Sequence, residues 1–207
     1  ASLALLGMGS AVPTTSFADE TKLAAAVTNG TLQAGTAAIV YAAGATRATP
    51  LAQQRNPAHY YELAAEAAHE HGLLFIAAPQ TSLVETLAPD ASASGRDAEF
   101  LRLGLARDTA RHADAFVAPA QATQDDSTVF ASFVNSASQQ AARSHAGIEV
   151  LAGLSTGAAP APATPDDLFD AFLSTRLTVS GYGFSGPSAA ATTAGVAFLH
   201  KLERLNS

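Results

Sequence analysis

Asn56–Pro79 reads NPAHYYELAAEAAHEHGLLFIAAP, and this stretch decides the fold class. Asn56-Pro57 opens a helix, with an N-cap residue followed by a proline at the first helical position, where its missing N–H costs nothing. Gly72 closes that helix at the usual left-handed stop. The apolar run Leu73–Ala77 follows at once, short and without alternation, as in a strand buried on both faces. Helix, tight glycine turn and buried strand together make one unit of an α/β fold.

The same couplet repeats outward in both directions. Apolar runs at Leu3–Met8, Ala37–Tyr41, Leu73–Ala77, Ala115–Ala118, Glu149–Leu154 and Thr178–Phe184 predict six strands. Helices are predicted over Asp19–Thr28, Asp97–His112 and Ala189–Leu205. A long one is capped by Ser127 and ended by Gly147, and another opens at Thr164-Pro165-Asp166-Asp167, its acids set against the positive end of the dipole. Strands alternating with helices imply parallel pairing and right-handed crossovers. Periodicity alone leaves an open doubly wound sheet and a closed barrel both standing. Residues 1–207 are expected to form one domain.

Composition removes several classes of function. The 207 residues include no cysteine, which excludes disulfides, thiolate metal sites and cysteine nucleophiles. The formal charge is −7 and the only lysines are Lys22 and Lys201, so there is no basic stripe for nucleic acid. No apolar run approaches the roughly 20 residues of a membrane span. Ser2–Gly9 is apolar and Ser16-Phe17-Ala18 resembles a cleavage site, but no basic segment precedes it; a buried first strand is expected rather than a signal remnant. Neither G-x-G-x-x-G nor a Walker-type phosphate loop occurs, and Gly183-Phe184-Ser185-Gly186-Pro187 fails as a nucleophile elbow because its glycine comes one residue too early.

Ile39-Val40-Tyr41 with Ala48-Thr49-Pro50, His71–Pro79, Ala152-Gly153-Leu154-Ser155-Thr156-Gly157 and Val179-Ser180-Gly181-Tyr182 carry a resemblance in their order and spacing. Over about residues 36–205 the chain resembles a group of actinobacterial TIM-barrel-like proteins, many of them exported and poorly characterised. The resemblance implies a (β/α) barrel with fewer than eight complete βα units, and a secreted location ahead of a cytoplasmic one. Relatives in that group carry acids where the second strand leaves the barrel. Here Tyr41–Arg47 has none, and whatever those carboxylates do is in doubt for this chain.

A barrel of this class builds its site at the C-terminal strand ends. The candidates there are Met8, Ser10 and Thr14; Tyr41 and Arg47; Gln80, Thr81, Ser82 and Glu85; Gln121, Gln124, Asp125 and Asp126; Ser155 and Thr156; Tyr182 and Ser185. Tyr41, Tyr182 and Asp125 are the candidate catalytic groups, against core packing for the tyrosines and helix capping for the Asp125-Asp126 pair. Arg47, Gln80, Gln121, Ser155 and Ser185 are the candidate substrate contacts. All six histidines fall in predicted helices, so no metal site and no cofactor is expected, and no histidine stands ready for a Ser-His-Asp triad. Three functions remain open: a cofactor-independent enzyme for a small organic molecule (cyclisation, isomerisation, elimination or hydrolysis), a non-catalytic or degenerate ligand-binding barrel, and a carbohydrate-active hydrolase. The last needs two carboxylates roughly 5–10 Å apart. The partner in each case is a small molecule; the sequence does not fix an oligomeric state.

Overall fold

The computed structural model describes residues 4–6, 11–157, 162–185 and 189–205. In chain order the elements are β1 (Ala4–Leu6), β2 (Ala11–Val12), β3 (Thr14–Phe17), α1 (Glu20–Thr28), β4 (Ala38–Tyr41), α2 (Leu51–Arg55), α3 (Pro57–His69), β5 (Leu74–Ala77), α4 (Val84–Leu87), α5 (Arg96–Arg102), α6 (Leu105–Ala110), β6 (Ala115–Ala118), α7 (Ser127–Ser144), β7 (Glu149–Ser155), α8 (Pro165–Thr175), β8 (Gly181–Ser185) and α9 (Ala189–Leu205). β3 to β8 are six parallel strands in sequence order, with helices in every crossover. β1 adds antiparallel to β8, and β2 antiparallel to β1.

The order β2-β1-β8-β7-β6-β5-β4-β3 puts β2 and β3 at opposite edges, yet only Pro13 separates them in the chain. Cα atoms two residues apart lie within about 7 Å of each other. The sheet is therefore curled until its edges meet. Its stagger agrees. Carried strand by strand from β3 to β8, the register aligns Thr14 with Ala38, Leu74 and finally Leu177. Carried the other way, Val12 meets Leu5 and then Gly183, which aligns Thr14 with Ser185. From Leu177 to Ser185 is eight residues, the shear of a TIM barrel. The fold is TIM-barrel-like, with fewer than eight βα units.

Period-two alternation sorts the strands' side chains into two cores. Ala38, Val40, Ile76, Val117 and Leu151 pack together inside the barrel, against Val12, Ala42, Ala78 and Ala115. Ile39, Tyr41, Phe75, Phe116, Val150, Leu154 and Tyr182 face outward into the larger core beneath the helices. Aromatic residues segregate completely: all ten phenylalanines and four tyrosines lie in that outer core or pack against it.

Several expected boundaries move. The run Leu3–Met8 is not the first parallel strand; only Ala4–Leu6 is described there, and it runs antiparallel as an edge-closing strand. β3 takes its place after Pro13. The helix expected over Asp97–His112 is two helices, because Gly104 (φ 70°) turns left-handed between α5 and α6. Asp126, not Ser127, caps α7, accepting from the backbone N–H groups of Thr128 and Val129 at 3.0 and 3.1 Å. Thr164 and Asp167 form the reciprocal capping box of α8. At the outer core, Phe116 is fully buried on β6. Phe116→Ala should cost about 3–5 kcal/mol in denaturant unfolding, as large aromatic truncations in packed cores do.

Candidate functional site

The C-terminal ends of β3 to β8 open on one face, and their loops are pinned by buried amides and hydroxyls. After β4 the chain runs irregularly from Ala42 to Pro50, and its backbone is held at almost every step. Ala43 N–H donates to the Tyr61 hydroxyl (3.3 Å), Gly44 N–H to Thr49 Oγ1 (3.2 Å) and Ala45 N–H to Ser82 Oγ (3.0 Å). Gln54, on α2, donates from Nε2 to the carbonyls of Thr46 and Thr49, and its Oε1 accepts from the Thr86 hydroxyl. Across the barrel Gln124 clasps Ser155: Oε1 accepts from the Ser155 N–H at 2.9 Å, and Nε2 donates to the Ser155 carbonyl. Buried amides spent in this way leave loops little freedom, which is what a preformed site needs.

Two of the predicted contacts lie over glycines. A β-carbon on Gly44 would stand 2.6 Å from Cδ of Gln80 and 2.9 Å from Oγ of Ser82. One on Gly153 would stand 2.8 Å from Cδ of Gln121 and 2.9 Å from the Ala118 carbonyl oxygen. Only glycine lets each amide lie against the neighbouring strand end. Gln80 is exposed and accepts a long bond from Ser82 Oγ (3.4 Å). Gln121 is half-buried, and its amide has no hydrogen-bond partner among the described residues. Ser155 and Ser185 are register partners at the ends of β7 and β8. Ser155 is 8% exposed and its Oγ accepts from the Gly157 N–H. Arg47 is exposed in the loop after β4.

The tyrosines are placed otherwise than expected. Tyr41 and Tyr182 end up on the outward face of their strands, so the alternation that builds the barrel turns both away from the mouth. The Tyr41 hydroxyl donates to Gln53 Oε1 (2.8 Å), and burial pushes it well above the usual phenol range. Tyr182 donates to the Phe172 carbonyl (2.9 Å) beside the Thr175 hydroxyl (3.0 Å), and burial pushes it up to about 12. Both phenols stay protonated and hydrogen-bonded within the outer core. Asp125 is exposed on the loop between Gln124 and the capping Asp126. Of the strand-one candidates, Met8 and Ser10 lie outside the described residues.

Sequence reading missed a different carboxylate pair. Because β3 is the first parallel strand, Asp19 and Glu20 stand at its C-terminal end. Asp19 caps α1 and accepts from Gln53 Nε2 (3.0 Å). Glu20 is 8% exposed; desolvation, then the neighbouring Asp19 charge, raises its carboxyl above the usual range, against weaker opposing help from Thr21 and His59. Gln53 joins this pair to Tyr41, since its Oε1 also accepts from the Glu20 N–H (3.0 Å). The pair thus belongs to the helix-side network behind β4. Reading Thr14–Phe17 as a strand would have exposed it. Nothing in a five-residue helix such as α2 announces Gln53 and Gln54.

No protein-family model matches the sequence, and no curated protein matches it. Among solved structures the chain is similar to one described as a "putative alpha-L-fucosidase" from Bacteroides thetaiotaomicron, with a TM-score of 0.51 and 13% identity. The alignment covers 88% of this chain and 58% of that one. A likeness at this identity is one of fold: a curled TIM-barrel-like sheet with helices between its strands. Among the described residues no group of three or more histidines and acids could hold a metal ion, and no helix is long and apolar enough to cross a membrane.

Two substitutions probe this network. Tyr41→Phe should cost about 0.5–1.5 kcal/mol of stability in denaturant unfolding and leave any ligand affinity unchanged. Glu20→Gln should raise Tm at pH 7. A carboxyl raised on folding binds its proton more tightly in the native state, so native stability falls as pH rises from below the ordinary glutamate value of 4.5 through the folded value. The gain from Glu20→Gln should therefore shrink as pH is lowered through that window, and a gain independent of pH would refute the assignment.

Proposed function

We propose that the protein is a non-catalytic barrel that holds a small uncharged organic molecule at the C-terminal mouth, with Gln80, Gln121, Ser155 and Ser185 as its contacts and Arg47 at the rim. The observation that carries this reading is the pair of glutamine amides laid over Gly44 and Gly153 with hydrogen-bonding capacity left over. The Gln121 amide makes no hydrogen bond among the described residues and is free to bond a ligand.

An enzyme at the same mouth would need an acid, a base or a nucleophile there. The tyrosines that would have served are spent in the outer core, and Asp19 accepts from Gln53 behind the strands, where the Glu20 backbone N–H also donates. The reading also fits the absence of acids along Tyr41–Arg47, where the resembling actinobacterial proteins have them. The fucosidase likeness is one of fold, and a glycoside hydrolase at this mouth would need two carboxylates facing each other across it.

A thermal-shift screen of uncharged metabolites tests it, because a ligand at 100 times its Kd stabilises by about 2.7 kcal/mol. Hits should lose about tenfold in affinity in Gln121→Ala, whose fold is checked by circular dichroism. Turnover of any hit, followed by mass spectrometry, would replace binding with catalysis.

A further inference from the structure

We infer that the ligand at this mouth is an uncharged, aliphatic compound with adjacent hydroxyl groups — a polyol or a sugar held by its edge — taken between the amides of Gln80 and Gln121. The inference rests on the mouth being a binding site, as proposed above, and names what it takes.

Three observations narrow the class. First, the two amides keep both kinds of hydrogen-bonding group free. Gln80 accepts one long bond from Ser82 Oγ at its Oε1, and its Nε2 hydrogens are unspent. Gln121 lies against Gly153 beside the Ala118 carbonyl, with no hydrogen bond among the described residues. The pair can therefore both give to and accept from one ligand, and a hydroxyl group can do either. Second, Ser155 and Ser185 are register partners on neighbouring strands, whose backbones run about 4.8 Å apart, and each carries a hydroxyl able to give and to receive.

Third, planar ligands that also pair a donor with an acceptor, such as lactams and nucleobases, are ordinarily held by stacking on an aromatic ring. None of the fourteen aromatic side chains faces the inside of the barrel. The inward positions nearest the mouth are instead small: Ala42 and Ala78 pack on the interior cluster and keep part of their surface open, and Gly153 has no side chain. A ligand entering there meets short aliphatic walls and neutral polar groups. The contacts within the mouth are neutral, and Arg47 stands exposed at the rim, where water and salt screen its charge.

Isothermal titration with four probes decides the matter: myo-inositol and L-fucose as uncharged polyols, 2-pyrrolidone as a lactam, and glucuronate as a charged sugar. The expected result is millimolar or tighter binding of at least one polyol and at least tenfold weaker binding of 2-pyrrolidone and glucuronate. Gln80→Ala and Gln121→Ala should each weaken the polyol about three- to tenfold, as the loss of one neutral hydrogen bond does. Preference for 2-pyrrolidone or glucuronate, sensitive to Gln121→Ala, overturns the ligand class and leaves mouth binding standing. Polyol binding that neither substitution weakens, with both variants folded by circular dichroism, overturns the glutamine grip and the mouth reading together. No binding of any probe overturns the polyol assignment, while hits from the metabolite screen that depend on Gln121 would keep the mouth reading alive.

Discussion

Pro13 is the joint on which the rest of the structure depends. A proline has no N–H to give a neighbouring strand, so a continuous strand cannot pass through it without a break in its ladder. Here the break separates β2, which pairs with β1, from β3, which pairs with β4. The Pro13 carbonyl still accepts from the N–H groups of Ala37 and Ala38, at 2.9 and 3.2 Å. One residue thus holds both edges of the sheet. Six parallel strands alone would leave two bare edges, each a row of unpaired backbone groups. The antiparallel β1–β2 pair covers one and delivers the chain to the other.

Curling fixes the meaning of every inward and outward position. Once the sheet closes on itself, alternate residues either share a narrow interior or meet the helices. The interior holds Val40, Ile76, Val117 and Leu151 at its middle, with alanines and glycine toward the mouth. Bulk goes outside, where Phe75, Phe116, Phe130 and Phe198 are fully buried. The same alternation that makes a stable outer core strips the mouth of aromatic surface and of phenol protons. Stability and the character of the site are consequences of one pattern.

The sequence was most legible where termini are chemically marked. Pro57 at the first helical position, Gly72 and the Thr164–Asp167 box located helices to within a residue or two, because these effects are local, although the Asn56 side chain makes no cap bond. Continuous apolar runs located β4 to β8. Thr14–Phe17 failed because four residues of Thr-Thr-Ser-Phe after a proline look like a loop; pairing with β4 makes them a strand, and that pairing is 21 or more residues distant in sequence. Misplacing that strand hid Asp19 and Glu20. The strand-end list found Gln80, Gln121, Ser155 and Ser185 at the mouth, but it ignored the parity of each position. Tyr41 and Tyr182 stand at strand ends and still face outward, and a parity count from Val40 and Leu151, both inward, would have shown it.

Parity also separates two kinds of polar group that composition cannot tell apart. Gln53, Gln54 and Gln124 are buried, and their amides bond within the protein: they set loop geometry. Gln80 and Gln121 lie at the rim with capacity left over. A buried amide that is satisfied contributes about 1 kcal/mol per bond, and an unsatisfied one costs more than that. The three satisfied amides hold the loops around the strand ends at which Gln80 and Gln121 stand. The glycines beneath them complete the arrangement, since any larger residue at Gly44 or Gly153 would displace the amide it supports.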